Sequence, residues 1–274
     1  MDLDSSILRK VEGVAARLLK ARHVVVLTGA GVSAESGIRT FRDTMEGLWK
    51  DFDPAKLATP EAFEADPETV TRWYDSRRLG CLAATPNPGH LVLAQIESFV
   101  RAQGGEFTLL TQNVDRLHQR AGSLEVVELH GSIIEWRCNQ TGNIFEPPPT
   151  PFERFPPPSP FDSGAILRPD VVWFGEALPE YALITAFERT ERCDMFFSVG
   201  TSSVVYPAAG FVQMAAQNCA FTVEVNKQET LASSSVDVQL QASSALYCLK
   251  SSSGFDCGNK NSYLTQRQLF LKLG

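Results

Sequence analysis

Gly29, Ala30 and Gly31 stand directly behind a short β-branched run, His23 to Leu27, and ahead of a serine-rich turn. Glycines in that place let the backbone come close to a phosphate, and a helix starting behind them offers free N–H groups to it. The triplet alone is a weak sign, because tight turns use the same residues. It also departs from GxGxxG, since Ser33 and Ala34 precede Glu35, so an ordinary dehydrogenase is not supported. Arg42 could face an anionic ligand or be a plain surface arginine. Further along, Tyr74 and Arg77 lie three residues apart in Trp73-Tyr74-Asp75-Ser76-Arg77-Arg78. On a helix that spacing puts both on one face. Arginine can hold a carboxylate through two parallel hydrogen bonds, and a tyrosine hydroxyl can add another. Taken alone, with Arg72 and Arg78 beside them, the stretch reads as a solvated helix face.

These residues need elements to hold them. Ile7, Val11, Val14, Ala15 and Leu18 recur at helical spacing and predict an amphipathic helix over Ser5 to Leu19. Four apolar runs predict buried strands: His23 to Leu27, Phe107 to Leu110, Met195 to Val199 and Phe221 to Val225. Each is followed by small or polar residues, among them Gln112-Asn113, Gly200-Thr201-Ser202-Ser203 and Asn226. Gly210 to Gln217 fits a crossover helix, and Val236 to Leu240 alternates like an edge strand. Open parallel sheets bind ligands outside the carboxyl ends of their strands. Two stretches break the rhythm. Residues 40 to 80 look helical and aromatic, and residues 138 to 165 hold eight prolines between Pro147 and Pro160.

With 274 residues and 43% apolar content, the chain can bury one substantial core and a smaller lobe. A formal charge of -7 weighs against nucleic acid as a partner. No run reaches the roughly 18 apolar residues that span a bilayer, so no membrane is expected. Met1 to Lys10 carries Asp2 and Asp4 without an apolar stretch, which predicts neither secretion nor mitochondrial import and leaves the cytoplasm. Six cysteines include no CxxC pair and predict reduced thiols.

Longer motifs then add up. Thr28 to Asp43 reads TGAGVSAESGIRTFRD, Thr111 to His118 reads TQNVDRLH, and Glu128 to Gly131 reads ELHG. Pro86-Asn87-Pro88-Gly89-His90 lies between the first two, and Leu167 to Glu176 reads LRPDVVWFGE. In this order, over about residues 8 to 240, the chain resembles the sirtuin (Sir2) family. The resemblance implies an α/β fold, a Rossmann-like parallel sheet domain with a small inserted lobe. The sheet domain would comprise residues 5–39, 81–137 and 169–240. The lobe would comprise a helical insertion, 40–80, and a metal-free, ribbon-like module, 138–168. An atypical tail would occupy 241–274.

The resemblance also implies NAD as cofactor and acyl-lysine proteins as partners; a monomer is expected, with the oligomeric state left open by the sequence. Gly29, Ala30, Gly31, Ser33, Arg42, Gln112, Gly200, Ser202 and Asn226 would surround NAD, and Ser36, Ile38, Asn113 and Asp115 would line its nicotinamide end. His130 would be the base that takes a proton from a ribose hydroxyl, which suits a group titrating near neutrality. Asn113 would orient water or ribose, while His118, His23 and His90 would be structural. The products would be nicotinamide, free lysine and 2′-O-acyl-ADP-ribose. Tyr74 and Arg77 resemble the Tyr-x-x-Arg pair of members that remove succinyl, malonyl and glutaryl groups. Val172, Trp173, Phe174, Gly175 and Glu176 would form the strand that binds the substrate peptide.

Two departures stand out. Where most sirtuins hold zinc with four cysteines, this chain keeps Cys138 and has Thr141, Pro160 and Ser163 near the other positions. One thiolate cannot build that tetrahedral site, so zinc is expected to be absent. Packing by Phe145, Phe152, Phe155 and Phe161 would replace it. The family's last loop is replaced by Gln241 to Leu246, which would lower NAD affinity or change how the tail folds. Mono-ADP-ribosyl transfer or NAD hydrolysis is a second reading, and a catalytically weak NAD- or ADP-ribose-binding module is a third. Retention of Tyr74 and Arg77 opposes the second, and retention of Asn113, Asp115 and His130 opposes the third.

Overall fold

The computed structural model describes residues 5–38 and 57–241; Arg42 and the tail from residue 242 lie outside them. Its strands are β1 (His23–Thr28), β2 (Glu106–Thr111), β3 (Val126–Glu128), β4 (Gly131–Cys138), β5 (Ile144–Phe145), β6 (Leu167–Val171), β7 (Met195–Val199), β8 (Phe221–Asn226) and β9 (Val238–Gln241). The helices are α1 (Ser5–Leu18), α2 (Ala30–Ser33), α3 (Pro60–Ala65), α4 (Pro67–Ala83), α5 (Pro88–Ala102), α6 (Leu117–Arg120), α7 (Glu180–Glu191) and α8 (Gly210–Gln217). Among the described residues no helix is long and apolar enough to cross a membrane.

Six strands form one parallel sheet in the order β3-β2-β1-β7-β8-β9. Both faces are covered, which is why its strands read as unbroken apolar runs. On one face Val24 and Val26 pack with Val11, Val14 and Leu18 of α1 and with Leu93 and Ile96 of α5. On the other, Val25 and Leu27 pack with Ala182 and Ala186 of α7 and with Phe211 and Val212 of α8. Val24 to Leu27 are all buried, and each such side chain contributes roughly 1.5–3 kcal/mol. From β1 the chain winds outward through β2 and β3, and from β7 it winds the other way through β8 and β9. The reversal puts a ligand-binding crevice at the carboxyl ends of β1 and β7.

The second sheet is antiparallel, in the order β5-β4-β6, and packs against α4. The sequence boundaries shift accordingly. β4 belongs to this small sheet from Gly131 onward, so the lobe begins there and not at 138, and β6 extends it to Val171, beyond 168. The antiparallel register Gly131↔Val171 is what draws both segments out of the large sheet. The aromatic core of the lobe is Trp73, Trp136 and Trp173, each at most 2% exposed.

The proline-rich stretch is tied down by charge as well as by rings. Phe152 packs edge-on to Trp136 at 4.8 Å, and Phe155 lies 6.2 Å from Phe152. Phe161 is 43% exposed and does not take the packing role expected of it. Arg78 is not on a solvated face either. It is fully buried, bonds Asp75 through Nε (2.9 Å) and Nη2 (2.6 Å), and donates to the carbonyls of Pro148 (2.8 Å) and Thr150 (2.7 Å). The other oxygen of Asp75 accepts from the Phe152 N–H at 3.2 Å. A proline-rich chain cannot satisfy its carbonyls in a ladder, and this one ion pair supplies donors and an acceptor in its place.

The helices of the small lobe and the one leading back to the sheet start on clear signals. Thr59 caps α3 by accepting from Ala62 N–H, Asp66 caps α4 by accepting from Thr69 N–H, and Asn87 caps α5 by accepting from Gly89 N–H. Proline occupies the first turn of all three.

Candidate active site

The glycines after β1 serve a closer approach than the sequence suggests. Gly29 N–H donates to Val199 O (3.1 Å) and Gly31 N–H to Gly200 O (2.8 Å). A Cβ on Gly31 would come within 2.7 Å of the Gly200 carbonyl oxygen. One on Gly200, whose φ is +60°, would come within 2.6 Å of Val32 N. The loops after β1 and β7 therefore interlock at the crevice, and their glycines are needed for protein-to-protein contact. The N–H groups of Gly29 and Gly31 are themselves engaged by Val199 and Gly200, so close approach of the backbone here serves the neighbouring loop first.

Around that joint sit the polar ends of the strands. Gln112 Nε2 donates to Thr201 Oγ1 at 2.9 Å, and Asn226 Nδ2 donates to Thr201 O at 2.7 Å. Thr201 is thus the hub between the ends of β2, β7 and β8, a residue the sequence reading passed over in favour of Gly200 and Ser202. Only its position in the loop after a strand could have marked it. Ser202 is half-buried in the same loop.

Behind the joint lies a closed hydrogen-bond network. Asn87 N–H donates to His90 Nδ1 at 3.2 Å, so the other His90 nitrogen, Nε2, carries the proton and donates to Ser33 Oγ at 3.3 Å. Asn113 Nδ2 also donates to Ser33 Oγ (3.1 Å) and to Gly29 O (3.1 Å). Ser33 in turn donates to Asp115 Oδ2 at 2.7 Å, and Asp115 Oδ1 accepts from Leu117 N–H at 2.9 Å. Burial pushes the Asp115 carboxyl above the usual carboxylate range, against the pull of Leu117 N–H and the Ser33 hydroxyl. His118 Nε2 lies 3.0 Å from Thr28 Oγ1, whose hydroxyl donates to Thr111. Desolvation lowers His90 to about 4 and His118 to about 3, so both are neutral spacers that fix the network. The spacing Asn87 to His90 is that of a reciprocal helix cap, a signal readable in the sequence. Ser36 Oγ accepts from Asn87 Nδ2 at 3.0 Å, and Ile38 packs against the aromatic cluster of the small lobe.

His130 stands at the seam of the two lobes. Its Nδ1 lies 3.0 Å from Gln112 O, and its own carbonyl accepts from Val172 N–H at 3.0 Å. Desolvation lowers its pKa, partly offset by the Gln112 bond, so the neutral ring is favoured. The segment after Val172 is not the strand expected. β6 ends at Val171, and Trp173 to Glu176 form a turn closed by Glu176 N–H to Trp173 O (3.0 Å), with Gly175 at φ +89°. The reason is local. Trp173 N–H turns to Glu176 Oε2 (2.9 Å) and Phe174 N–H to Ala58 O (2.9 Å), so neither continues a ladder. Phe174 and Gly175 are exposed. Arg168 clasps Glu176 from below, Nη1 to Oε1 at 2.6 Å and Nη2 to Oε2 at 2.9 Å. Burial raises the Glu176 carboxyl, but Arg168 and the Trp173 N–H outweigh it and hold the group below its ordinary value.

Tyr74 is buried in the aromatic cluster, where its hydroxyl accepts from Trp173 Nε1 at 3.0 Å. Arg77, one turn on, stacks on Trp73 at 4.9 Å and its charge acts on Tyr74.

A family model described as the Sir2 family matches residues 29–207. The chain belongs to the Sir2 family. It is 50% identical over 208 residues to an NAD-dependent protein deacylase of Aquifex aeolicus, covering 76% of this chain and 84% of that one. Among solved structures, a Sir2 homologue–NAD complex superposes with a TM-score of 0.79 at 40% identity, covering 85% of this chain and 89% of that one. A complex of a Sir2 homologue variant with 2′-O-acetyl ADP ribose gives 0.78 at 40% identity, covering 85% and 92%.

Within this Sir2 fold the zinc position is chemically altered. Cys138 is buried, and although burial raises its thiol, hydrogen bonds from Ser159 and Thr141 outweigh that and bring it to about 7. Among the described residues no three His, Cys, Asp or Glu side chains gather to hold a metal. The donor set, one thiol among hydroxyls, does not fit a structural zinc.

Proposed function

We propose that this Sir2-family chain is an NAD-dependent protein-lysine deacylase whose acyl pocket prefers groups ending in a carboxylate, succinyl, malonyl or glutaryl, over acetyl. The observation that carries the acyl preference is the hydrogen bond from Trp173 to the Tyr74 phenol, which brings the phenol to the residue next to Val172, the partner of His130, with Arg77 one helical turn from Tyr74 on the same helix. Deacylase activity is supported by kinship with the Aquifex deacylase and by the residues themselves.

The residues suit a dinucleotide. Two interlocked glycine loops sit at the switch point of the sheet, and Gln112 and Asn226 flank them. NAD, when bound, supplies the ribose carbon that receives the acyl oxygen as nicotinamide leaves. The chain's own groups do the rest. Asn113 and Asp115, fixed through Ser33, order the wall beside the reacting end. His130 keeps Nε2 free of a proton and takes one from a hydroxyl presented to it. The turn Trp173 to Glu176 exposes Phe174 and Gly175 beside that point, where a peptide can run across them.

The test is NAD-dependent deacylation of matched succinyl-lysine and acetyl-lysine peptides, with product read by mass spectrometry. Succinyl preference that collapses in Arg77→Met supports the reading. Acetyl preference indifferent to Arg77→Met would leave a general deacetylase. Nicotinamide release that ignores the peptide would favour NAD hydrolysis.

A further inference from the structure

We propose that Trp173 sets the direction of the Tyr74 hydroxyl and is thereby a specificity-determining residue for acyl groups that end in a carboxylate. The proposal rests on the reading of Tyr74 and Arg77 given above and deepens it.

An indole N–H can only donate. Trp173 Nε1 lies 3.0 Å from the Tyr74 oxygen, so that oxygen is the acceptor and its own proton must point elsewhere. Among the described residues the Tyr74 proton meets no acceptor, although the side chain is only 3% exposed. Buried donors are rarely left without a partner, and one that is calls for a ligand. A ligand that meets this proton must accept. Arg77, which stacks on Trp73 one helical turn away, has only donors and a positive charge. A carboxylate answers both: it is acceptor-only and negative. An acetyl methyl answers neither. With the bond to Trp173 missing, the phenol could turn its lone pair outward and repel the same carboxylate.

Burial, against the charges of Arg77 and Arg168 and the Trp173 bond, also raises the Tyr74 phenol, so it stays protonated and remains a donor.

Trp173 can impose this direction because it is held on every side. The Arg168 guanidinium lies 3.3 Å from its ring centroid, and Phe63 packs at 5.2 Å. Arg168 is itself locked to Glu176, which also takes the Trp173 N–H. The turn that faces the peptide and the hydroxyl that faces the acyl end therefore share one indole.

The experiment uses the full chain with succinyl-lysine and acetyl-lysine peptides, and measures kcat and KM for the parent, Trp173→Phe, Tyr74→Phe, the double variant and Arg77→Met. Trp173→Phe keeps an aromatic ring and deletes the N–H. The expected result is a fall of about tenfold in the succinyl-to-acetyl ratio of kcat/KM, carried by succinyl KM, in each single aromatic variant. The double variant should be no worse than Tyr74→Phe alone, because both remove the same bond. Using the ratio cancels general damage to the fold. Parallel loss on both peptides in Trp173→Phe, or losses that add in the double variant, would overturn the role of Trp173 and leave it a packing residue. An unchanged ratio in Tyr74→Phe and Arg77→Met would instead overturn the carboxylate reading itself. If Trp173→Phe does not fold, 3-benzothienylalanine at 173, with sulfur for the N–H, gives the same two outcomes.

Discussion

The carbonyl oxygen of Gln112 lies 3.0 Å from Nδ1 of His130, and a carbonyl can only accept. Nδ1 therefore carries the proton and Nε2 the lone pair. The bond links the end of β2 to the seam between the lobes, so the same contact that orients the ring also ties it to the crevice.

The first expectation concerns that ring. His130→Ala should lower kcat by about 10²–10⁴-fold with peptide binding largely kept, as expected for loss of a general base. Steady-state kinetics on the acylated peptide check it. An equal rate in the variant would remove His130 from the proton transfer.

Because burial lowers the His130 pKa from 6.5, the neutral ring persists below the ordinary histidine range. The acid limb of kcat/KM should therefore fall below pH 6.5, with activity lost as pH drops through the lowered value and not before. A pH–rate profile with an acid limb above 6.5 contradicts this. Assigning the limb requires a slowly reacting peptide, so that chemistry limits the rate.

Stability should follow His90 and His118 in the same direction. Their folded values are depressed to about 4 and about 3, while the unfolded chain titrates near 6.5. Between these values the unfolded state binds more protons, so the contribution is full above pH 6.5 and is lost as pH falls toward 4 and then 3. Urea midpoints at pH 7, 5.5 and 4.5 should decline in that order. His118→Gln should flatten the decline, and an unaltered slope would show that His118 does not drive it.

Arg78→Leu should destabilise by about 3–5 kcal/mol, because it strands the buried Asp75 carboxylate and two carbonyls of the proline-rich stretch. Denaturant unfolding gives the number, and protease cutting within 147–160 should speed up. A loss under about 1 kcal/mol would mean that the aromatic packing alone holds the module.

Gly31→Ala should fail more sharply than a helix-surface glycine such as Gly80→Ala. Its methyl would meet Gly200 O at 2.7 Å, whereas a Cβ at Gly80 meets nothing within 4 Å. Overpacking of that kind costs about 1–3 kcal/mol, and here it should also weaken NAD binding by pushing the two loops apart. Melting temperature and NAD titration on both variants decide it.

How far the sequence reached depends on how local each feature is. Helix α8 and strands β1, β2, β7 and β8 were legible because strands buried on both faces leave unbroken β-branched runs and a helix leaves its own period. The glycine triplet, the polar residues after each strand and the Tyr74–Arg77 spacing are local too, so candidate site residues could be named from the chain alone. The allocation of β4 and β6 to a second sheet was not legible, since pairing Gly131 with Val171 depends on register between distant segments. Nor was the buried Arg78. Its neighbours in sequence made a solvated face plausible, and only packing against residues 148–152 brought it inside.

By itself, then, the sequence determined the parallel sheet, the place of its crevice and the residue types gathered there, because burial pattern and turn chemistry are written within a few neighbouring residues. Only the tertiary structure decided what each group does with its hydrogens. Gly31 gives its N–H to Gly200, His130 gives Nδ1–H to Gln112, and Trp173 gives its indole N–H to Tyr74, 99 residues away. A donor's partner is fixed by which strands cross and in what register, and no local pattern carries that.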